Sequence, residues 1–450
     1  VRTNISLWGR LLLILKQAWP VLVAQVASVS MMLIDTALLG HFDAVDLAAA
    51  AVGSGIHVSV VLALVGILQA VAPLVAHQRG AGNDLAIGHI FHQGLWLALL
   101  LAVPGVLLMC YPEPLLALST MDSVVEGKVR AYLAALAWGV PAALWYRTCS
   151  AFCNALGKPR PLMIIALLAV TLHAPLAWAL LHMAPNGAPL GVLGCGISSA
   201  LLSWCSLAAA LLYLRHASAL RHYDLLRRWH APRLAVFGEV LRLGLPMGVS
   251  SFVEITSFTL IALFVARLGA EAVAGHRIVA NLVALAYMLP LSLAVATLTE
   301  VGRLLGAGAR FAARQAAAAG LLAALLCAML SATATWLGAA QVVGWFTTAA
   351  EVQRVALGVV AYVALYQIFD ALQTVAGFVL RAYKVTFVPM LVHTFSFWLV
   401  GLGGGAWLAF AANWQLGVLG FWQAALASVV LAAMLLLWLL RRAELLAAQP

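Results

Sequence analysis

Apolar runs of about 20 residues follow one another from end to end of the chain, separated by short polar breaks. At ~1.5 Å of rise per residue, each is long enough to cross a hydrocarbon core of ~30 Å as a helix. Twelve spans are predicted, at 16–39, 49–76, 90–111, 131–156, 161–182, 190–214, 241–266, 276–302, 315–337, 355–380, 387–410 and 415–440. The period-two alternation of a membrane β-barrel is absent. The longest polar connection runs from Arg215 to Arg242 and leaves six spans on either side. The expected organisation is a first lobe at 1–214, a basic linker at 215–240 and a second lobe at 241–450.

The two halves repeat. Pro20 in the first span is matched by Pro246 in the seventh, 226 residues on. The same 226 residues separate Gly80, Ala81 and Gly82 from Gly306, Ala307 and Gly308, and the run LGVLG at 190–194 from its identical copy at 416–420. Three matches at one offset favour duplication over chance. Six spans is an even number, so both halves enter the membrane in the same sense. The expected fold is an all-α membrane protein of two pseudo-symmetric six-helix bundles, with an axis along the membrane normal and a cavity between the bundles. Alternating access by rocking one half against the other is the motion such a fold implies.

Composition agrees. The 450 residues are 65% hydrophobic and 9% charged, with mean hydropathy +1.04, where soluble domains carry ~25% charged residues. The net charge of +10 might speak for nucleic acid in a soluble chain, but here it marks topology, and no nucleic-acid partner is expected. With the N-terminus in the cytoplasm, 19 of the 25 Lys and Arg fall on the cytoplasmic side and five opposite, with Arg147 left inside a span. Both termini are therefore expected to be cytoplasmic. The first apolar run is longer than the core of a signal peptide and reads as an uncleaved span. The six cysteines lie in or beside apolar runs without metal-ligand spacing, the pattern of small buried thiols.

Of 15 acidic residues, three fall inside spans: Asp35, Glu254 and Asp370. A carboxylate near the bilayer centre costs about 2.5–3.5 kcal/mol on insertion scales and is normally kept for a pathway, a pair or a relay. A protonated acid bonded between helices explains any one of them; it explains three together less well. At ~1.5 Å per residue, Glu254 lies about 12 Å beyond Pro246 and Asp35 about 22 Å beyond Pro20, nearer the outer side. Tyr366 is four residues before Asp370 and shares its helix face. A phenol beside two carboxylates supplies hard oxygen ligands for a small cation such as Na⁺, or a partner for a shared proton, though packing between helices accounts equally well for Tyr366 alone. At the repeat offset Asp35 falls on Ile261, Glu254 on Ser28 and Asp370 on Leu144, so the acids are not duplicated with the scaffold. Protons and cations compete for such carboxylates, which is a chemical basis for antiport.

Weaker candidates remain. Arg147 suits a substrate or gating contact, or a snorkelling side chain. His57, His173 and His393 read first as neutral hydrogen-bonded histidines. His89 and His92 have ligand-like spacing at a cytoplasmic helix start and are not assigned as ligands. Glu300, near Arg303, reads as a surface or gate ion pair. Trp145, Phe252, Phe258, Tyr287 and Phe369 are candidate cavity-lining aromatics, although most such residues pack helices.

These residues carry a resemblance to the MATE (multidrug and toxic compound extrusion) family, in its NorM-like bacterial branch. It rests on Pro20 with Asp35, on APLVAHQRGAG at 72–82, on Glu254 in SSFVEITSF, on Tyr366 and Asp370 in YQIFDAL, and on the paired LGVLG runs. The resemblance covers essentially the whole chain. It implies a transporter in the bacterial inner membrane that works without a cofactor, as a monomer, exporting small cationic drugs and dyes in exchange for Na⁺ or H⁺. It also implies a cation site at Glu254, Tyr366 and Asp370, and a first-half acid, Asp35, used for protonation or drug binding. Two departures stand out. His173 and Ala177 in TLHAPLAW replace asparagines usual in relatives, which puts a second cation site in doubt and points to a proton-responsive half; Glu300 stands where a basic residue is common.

Other classes fit less well. A major-facilitator exporter calls for a Gly-x-x-x-Asp-Arg/Lys type loop after the second span, and HQRGAGND is a poor match. A lipid-linked precursor flippase of the same superfamily favours several cavity arginines, where only Arg147 lies inside a span. No zinc, nucleophile or phosphate-loop motif supports an intramembrane enzyme.

Overall fold

The computed structural model describes residues 6–116, 122–184, 187, 189–223, 225, 230–411 and 415–448. Arg2, Arg227 and Arg228, counted above among the cytoplasmic charges, lie outside them. The described chain is helical, and all twelve predicted spans are present. In the first half they are Leu7–Phe42, Ala44–Leu68 continued as Val71–Ala81, Asp84–Cys110, Ser123–Ala155, Arg160–His182 and Val192–His216. In the second half they are Leu234–Ala266, Ala270–Gly306, Arg310–Phe346, Ala350–Ala382, Phe387–Phe410 and Val418–Ala448. Eleven are long and apolar enough to cross a membrane by composition alone. The fourth falls short because Arg130 and Arg147 bracket its apolar stretch.

Helices run past the predicted spans wherever polar residues continue the helical backbone. Asp43 and Asn83 cap the second and third spans by accepting the N–H of Asp46 at 3.1 Å and of Ala86 at 3.1 Å. At the repeat offset Asp43 is replaced by Gly269, which caps the eighth span with its backbone alone. Gly82 and Gly308, equivalent in the two halves, end their helices in the left-handed conformation at φ 71 and 72. Gly191 and Gly417, within the two LGVLG runs, both take φ 56.

The halves lose register in one place. The eleventh span ends at Phe410, 228 residues after the end of the fifth at His182, instead of 226. Its residues Thr394–Gly403 are π-helical, and the wider i→i+5 turn takes up the extra residues. The connection that follows is correspondingly shorter, so LGVLG resumes on register.

Packing divides the chain elsewhere than the repeat does. One compact unit is Val23–Gly248 and the other combines Val1–Leu22 with Val249–Pro450. The cuts fall two residues after Pro20 and two after Pro246, inside the first and seventh spans. A proline inside a helix cannot donate to the carbonyl four residues back, which breaks the ladder near each cut. Instead of closing the first lobe, the linker residues His230, Ala231 and Arg233 bond to side chains of the third span, His92, Gln93 and Trp96, at 2.9–3.1 Å. Each unit has its own core. One is built around Phe91, Phe152 and Tyr132, the other around Tyr366, Phe421 and Trp422.

Candidate functional site

In the unit containing most of the second half, Asp370 is buried on the tenth span, one turn after the buried Tyr366. Glu254, half-buried on the seventh span, lies within electrostatic reach of both, and so does Tyr287 of the eighth. Sequence reasoning had placed Tyr287 among possible lining aromatics; its phenol instead joins the acids. Asp370 Oδ1 accepts from Gln373 Nε2 at 3.0 Å, and the same amide nitrogen reaches Thr374 Oγ1 at 3.1 Å. Gln373 Oε1 in turn faces His393 Nε2 at 3.2 Å, so with the amide in this orientation His393 carries its proton on Nε2. Arg381, counted from sequence as a loop charge, is within electrostatic reach of Glu254 and Tyr287 and stacks over Phe378 at 4.1 Å.

These additional residues had a signal. Positions 366, 370, 373, 374, 377 and 381 recur at the three- and four-residue spacing of one helix face. The polar letters along that face, Tyr, Asp, Gln, Thr and Arg, mark a lined surface that a search for isolated acids passes over.

A small cavity of about 10 Å³ lies beside Asp370, lined also by Tyr287, Ala286, Pro290, Ser331 and Gln367. Such a space admits about one water or a small ion. Pro290 cannot donate to the Ala286 carbonyl, and both residues face this cavity. Ser331 Oγ donates to Gln367 Oε1 at 2.8 Å, and Gln367 Nε2 donates to Thr335 at 3.0 Å. Carboxylate, phenol, hydroxyl and carbonyl oxygens are hard donors suited to Na⁺ or to a proton.

The other unit holds a different centre. Asp35, buried on the first span, accepts from His173 Nε2 of the fifth span at 2.8 Å. His173 is fully buried, and its Nδ1 faces Ser198 Oγ of the sixth span at 3.2 Å. With Nε2 donating to the carboxylate, neutral His173 accepts the Ser198 hydroxyl proton on Nδ1. Cys195 also bonds to Asp35, and Tyr132 lies within its electrostatic reach. The structure therefore joins Asp35 and His173, which sequence reasoning listed together without a contact.

The remaining candidates do not gather at either centre. Phe258 meets the Tyr366 ring edge-on at 6.0 Å, and Phe369 packs in the same apolar cluster. Phe252 is exposed and meets Trp398 at 6.4 Å. Arg147 and Trp145 are half-buried on the fourth span, and Arg147 makes no ion pair among the described residues. Glu300 is a correction: it is buried, not a surface group. It accepts from Arg303 at 2.7 and 3.0 Å and lies 3.9 Å from the buried Arg10 of the first span. The charged cytoplasmic look of its neighbours concealed an acid needed inside, to balance an arginine brought over from the N-terminus. Cys110 and Cys205 are exposed, whereas Cys149, Cys153 and Cys195 are buried thiols.

The MatE family model matches twice, over residues 20–179 and 246–407, beginning on the two repeat prolines. The chain belongs to the MatE family. Its members are membrane transporters, and this chain is a multi-pass transporter of that family rather than an enzyme. It is 50% identical over 98% of its length, and 95% of the relative's, to the probable multidrug resistance protein NorM of Aromatoleum aromaticum. It is 34% identical to the multidrug resistance protein PmpM of Pseudomonas aeruginosa, covering 94% of this chain and 89% of that one. Among solved structures, a eukaryotic MATE transporter superposes with TM-score 0.85 at 20% identity, over 97% of this chain and all of the other. The Vibrio cholerae MATE transporter VcmN in its bent form superposes with TM-score 0.83 at 18% identity, over 98% and 99%. Those structures share the fold.

Proposed function

We propose that this MatE transporter exports small cationic amphiphilic compounds, drugs and dyes among them, in exchange for H⁺ or Na⁺. We place it in a bacterial inner membrane with both termini cytoplasmic, and take the monomer as the working unit. The observation that carries the reading is the pair of unlike acid centres. One is an oxygen-rich cluster of Glu254, Asp370, Tyr366 and Tyr287; the other is Asp35 held by His173. The names borne by the bacterial relatives support the multidrug part of it.

The chemistry follows from competition. An ionised carboxylate in a dry interior attracts an organic cation, a sodium ion or a proton, and holding one displaces another. Entry of the coupling ion neutralises the acids and releases the drug. Each positive charge moving down the membrane potential supplies ~2.3 kcal/mol per 100 mV. Glu254 and Asp370 offer oxygens on both sides of a space of ion size, which suits a bare cation as well as a proton. The Asp35–His173 pair offers a nitrogen and a carboxylate already bonded, which suits a proton better than sodium.

The test is dye efflux from proteoliposomes with a Na⁺ gradient and a pH gradient imposed separately, for wild type, Asp370→Asn and His173→Asn. Asp370→Asn is expected to lower coupled efflux at least tenfold with the protein still folded. His173→Asn should lower the response to the pH gradient more than the response to Na⁺. Efflux untouched by Asp370→Asn would remove the second-half site from the mechanism. The absence of dye movement under either gradient would remove the exporter reading.

A further inference from the structure

A second cavity, of about 240 Å³, opens where the ninth span begins and the tenth and twelfth end. It is lined by Arg310, Phe311, Arg314, Tyr383, Glu444 and Ala447, all within one compact unit. This is far more room than the ~10–15 Å³ one water requires. None of its residues belongs to the acid centres described above.

Its chemistry is that of an anion site at a membrane surface. Arg310 and Arg314 are four residues apart and so occupy one helix face. Glu444 is the one carboxylate lining the cavity, and Arg314 Nε faces its Oε2 at 3.5 Å, which leaves the lining with an excess of positive charge. The ninth span starts at Arg310 after Ala309, which supplies no side-chain cap, so the positive end of the helix dipole is directed at the same place. Burial, and then Glu444, push the Tyr383 phenol up to about 12, which keeps it a neutral hydroxyl donor rather than a competing anion. Beside the charges, Phe311, Leu445 and Leu446 are exposed at 72%, 52% and 69%, a run of apolar surface at the mouth of a basic pocket.

We propose that this cavity binds the phosphodiester headgroup of an anionic phospholipid, with the two guanidinium groups and the Tyr383 hydroxyl on the phosphate and the exposed Phe311 and Leu446 against the acyl chains. Basic pockets between membrane helices hold such headgroups, and the adjacent apolar surface distinguishes this ligand from a soluble phosphate. In the orientation proposed above the site faces the inner leaflet, but its existence does not depend on the transport reading.

Purified protein in detergent is titrated with phosphatidylglycerol, phosphatidylcholine or inorganic phosphate, and both melting temperature and lipid retained in native mass spectrometry are recorded. Phosphatidylglycerol is expected to raise the melting temperature by several degrees over phosphatidylcholine at equal lipid, and to be retained preferentially. The double variant Arg310→Gln, Arg314→Gln should lose that preference while melting as wild type does in phosphatidylcholine. Should that variant fail to fold, Tyr383→Phe and Arg314→Lys, which keep volume and charge, are expected to lower retention of phosphatidylglycerol severalfold. A preference for phosphatidylglycerol that survives all these substitutions, or no preference in wild type, overturns the proposal. An equal effect of inorganic phosphate assigns the cavity to a soluble anion and overturns the lipid.

Discussion

Gln373 holds two groups at once, donating to Asp370 at 3.0 Å and accepting from His393 at 3.2 Å. Replacing it by leucine leaves the buried His393 N–H without its acceptor and one Asp370 oxygen without its donor. A buried polar group stripped of its partner costs about 1–3 kcal/mol. Gln373→Leu is therefore expected to lower the melting temperature measurably and to weaken efflux together with it, as thermal unfolding and dye transport on one preparation would register. An unchanged melting temperature would mean that neither bond matters to the fold. The same residue shows where the sequence is and is not informative. Asp35, Glu254 and Asp370 stand out because charge is expensive in hydrocarbon and only a few acids lie there. Gln373, Thr374 and Ser198 carry no charge and are common in helices, so only the stripe they share with an acid, or the contact itself, reveals them. Glu300 was misread for the opposite reason: it lies among arginines at a span end, and the partner that buries it, Arg10, is far away in sequence.

At the scale of the element, the repeated LGVLG run packs a helix start against a neighbour too closely for any side chain. A β-carbon on Gly194 would come within 2.6 Å of the Leu180 backbone, and one on Gly420 within 3.0 Å of the backbone at Leu408 and Ala409. Overpacking of this kind typically costs about 1–3 kcal/mol. Gly194→Ala should destabilise more than Gly420→Ala, in melting temperature and in folded yield, because its obstruction is tighter and is main chain, which cannot swing aside. Equal and small effects would show that the fifth and sixth spans shift apart freely. Span number and order were readable because apolar length is fixed by the bilayer. The break at Gln69 and Ala70 and the π-helical Thr394–Gly403 were not, since neither interrupts the run of apolar residues. The repeat nonetheless left a trace of the latter. Register held on both sides of the eleventh span, so an insertion inside it had to be compensated in the next connection.

For the whole molecule, topology was argued from the bias of Lys and Arg, whereas the compact units cut the chain two residues past Pro20 and Pro246. The bias follows from composition along the sequence. The cut follows from which side chains meet, such as Arg10 with Glu300, and no linear reading supplies it. The proposed orientation has a test in thiols the chain already carries. Cys110 ends the third span and is exposed, and on the proposed orientation it faces outward; Cys205, also exposed, sits mid-way along the sixth span, where lipid excludes water. Thiolate is the reactive form and needs a polar surrounding, so Cys205 should resist a charged reagent although nothing in the protein covers it. A membrane-impermeant maleimide applied to intact spheroplasts should therefore label Cys110 and leave Cys205 unmodified. A cysteine at the exposed linker residue Ser218, introduced as Ser218→Cys with Cys110 replaced by alanine, should become labelled only after the membrane is permeabilised. The reverse pattern would turn the molecule over in the membrane. The coupling gradient would then drive drug in rather than out, and the phospholipid site would face the other leaflet.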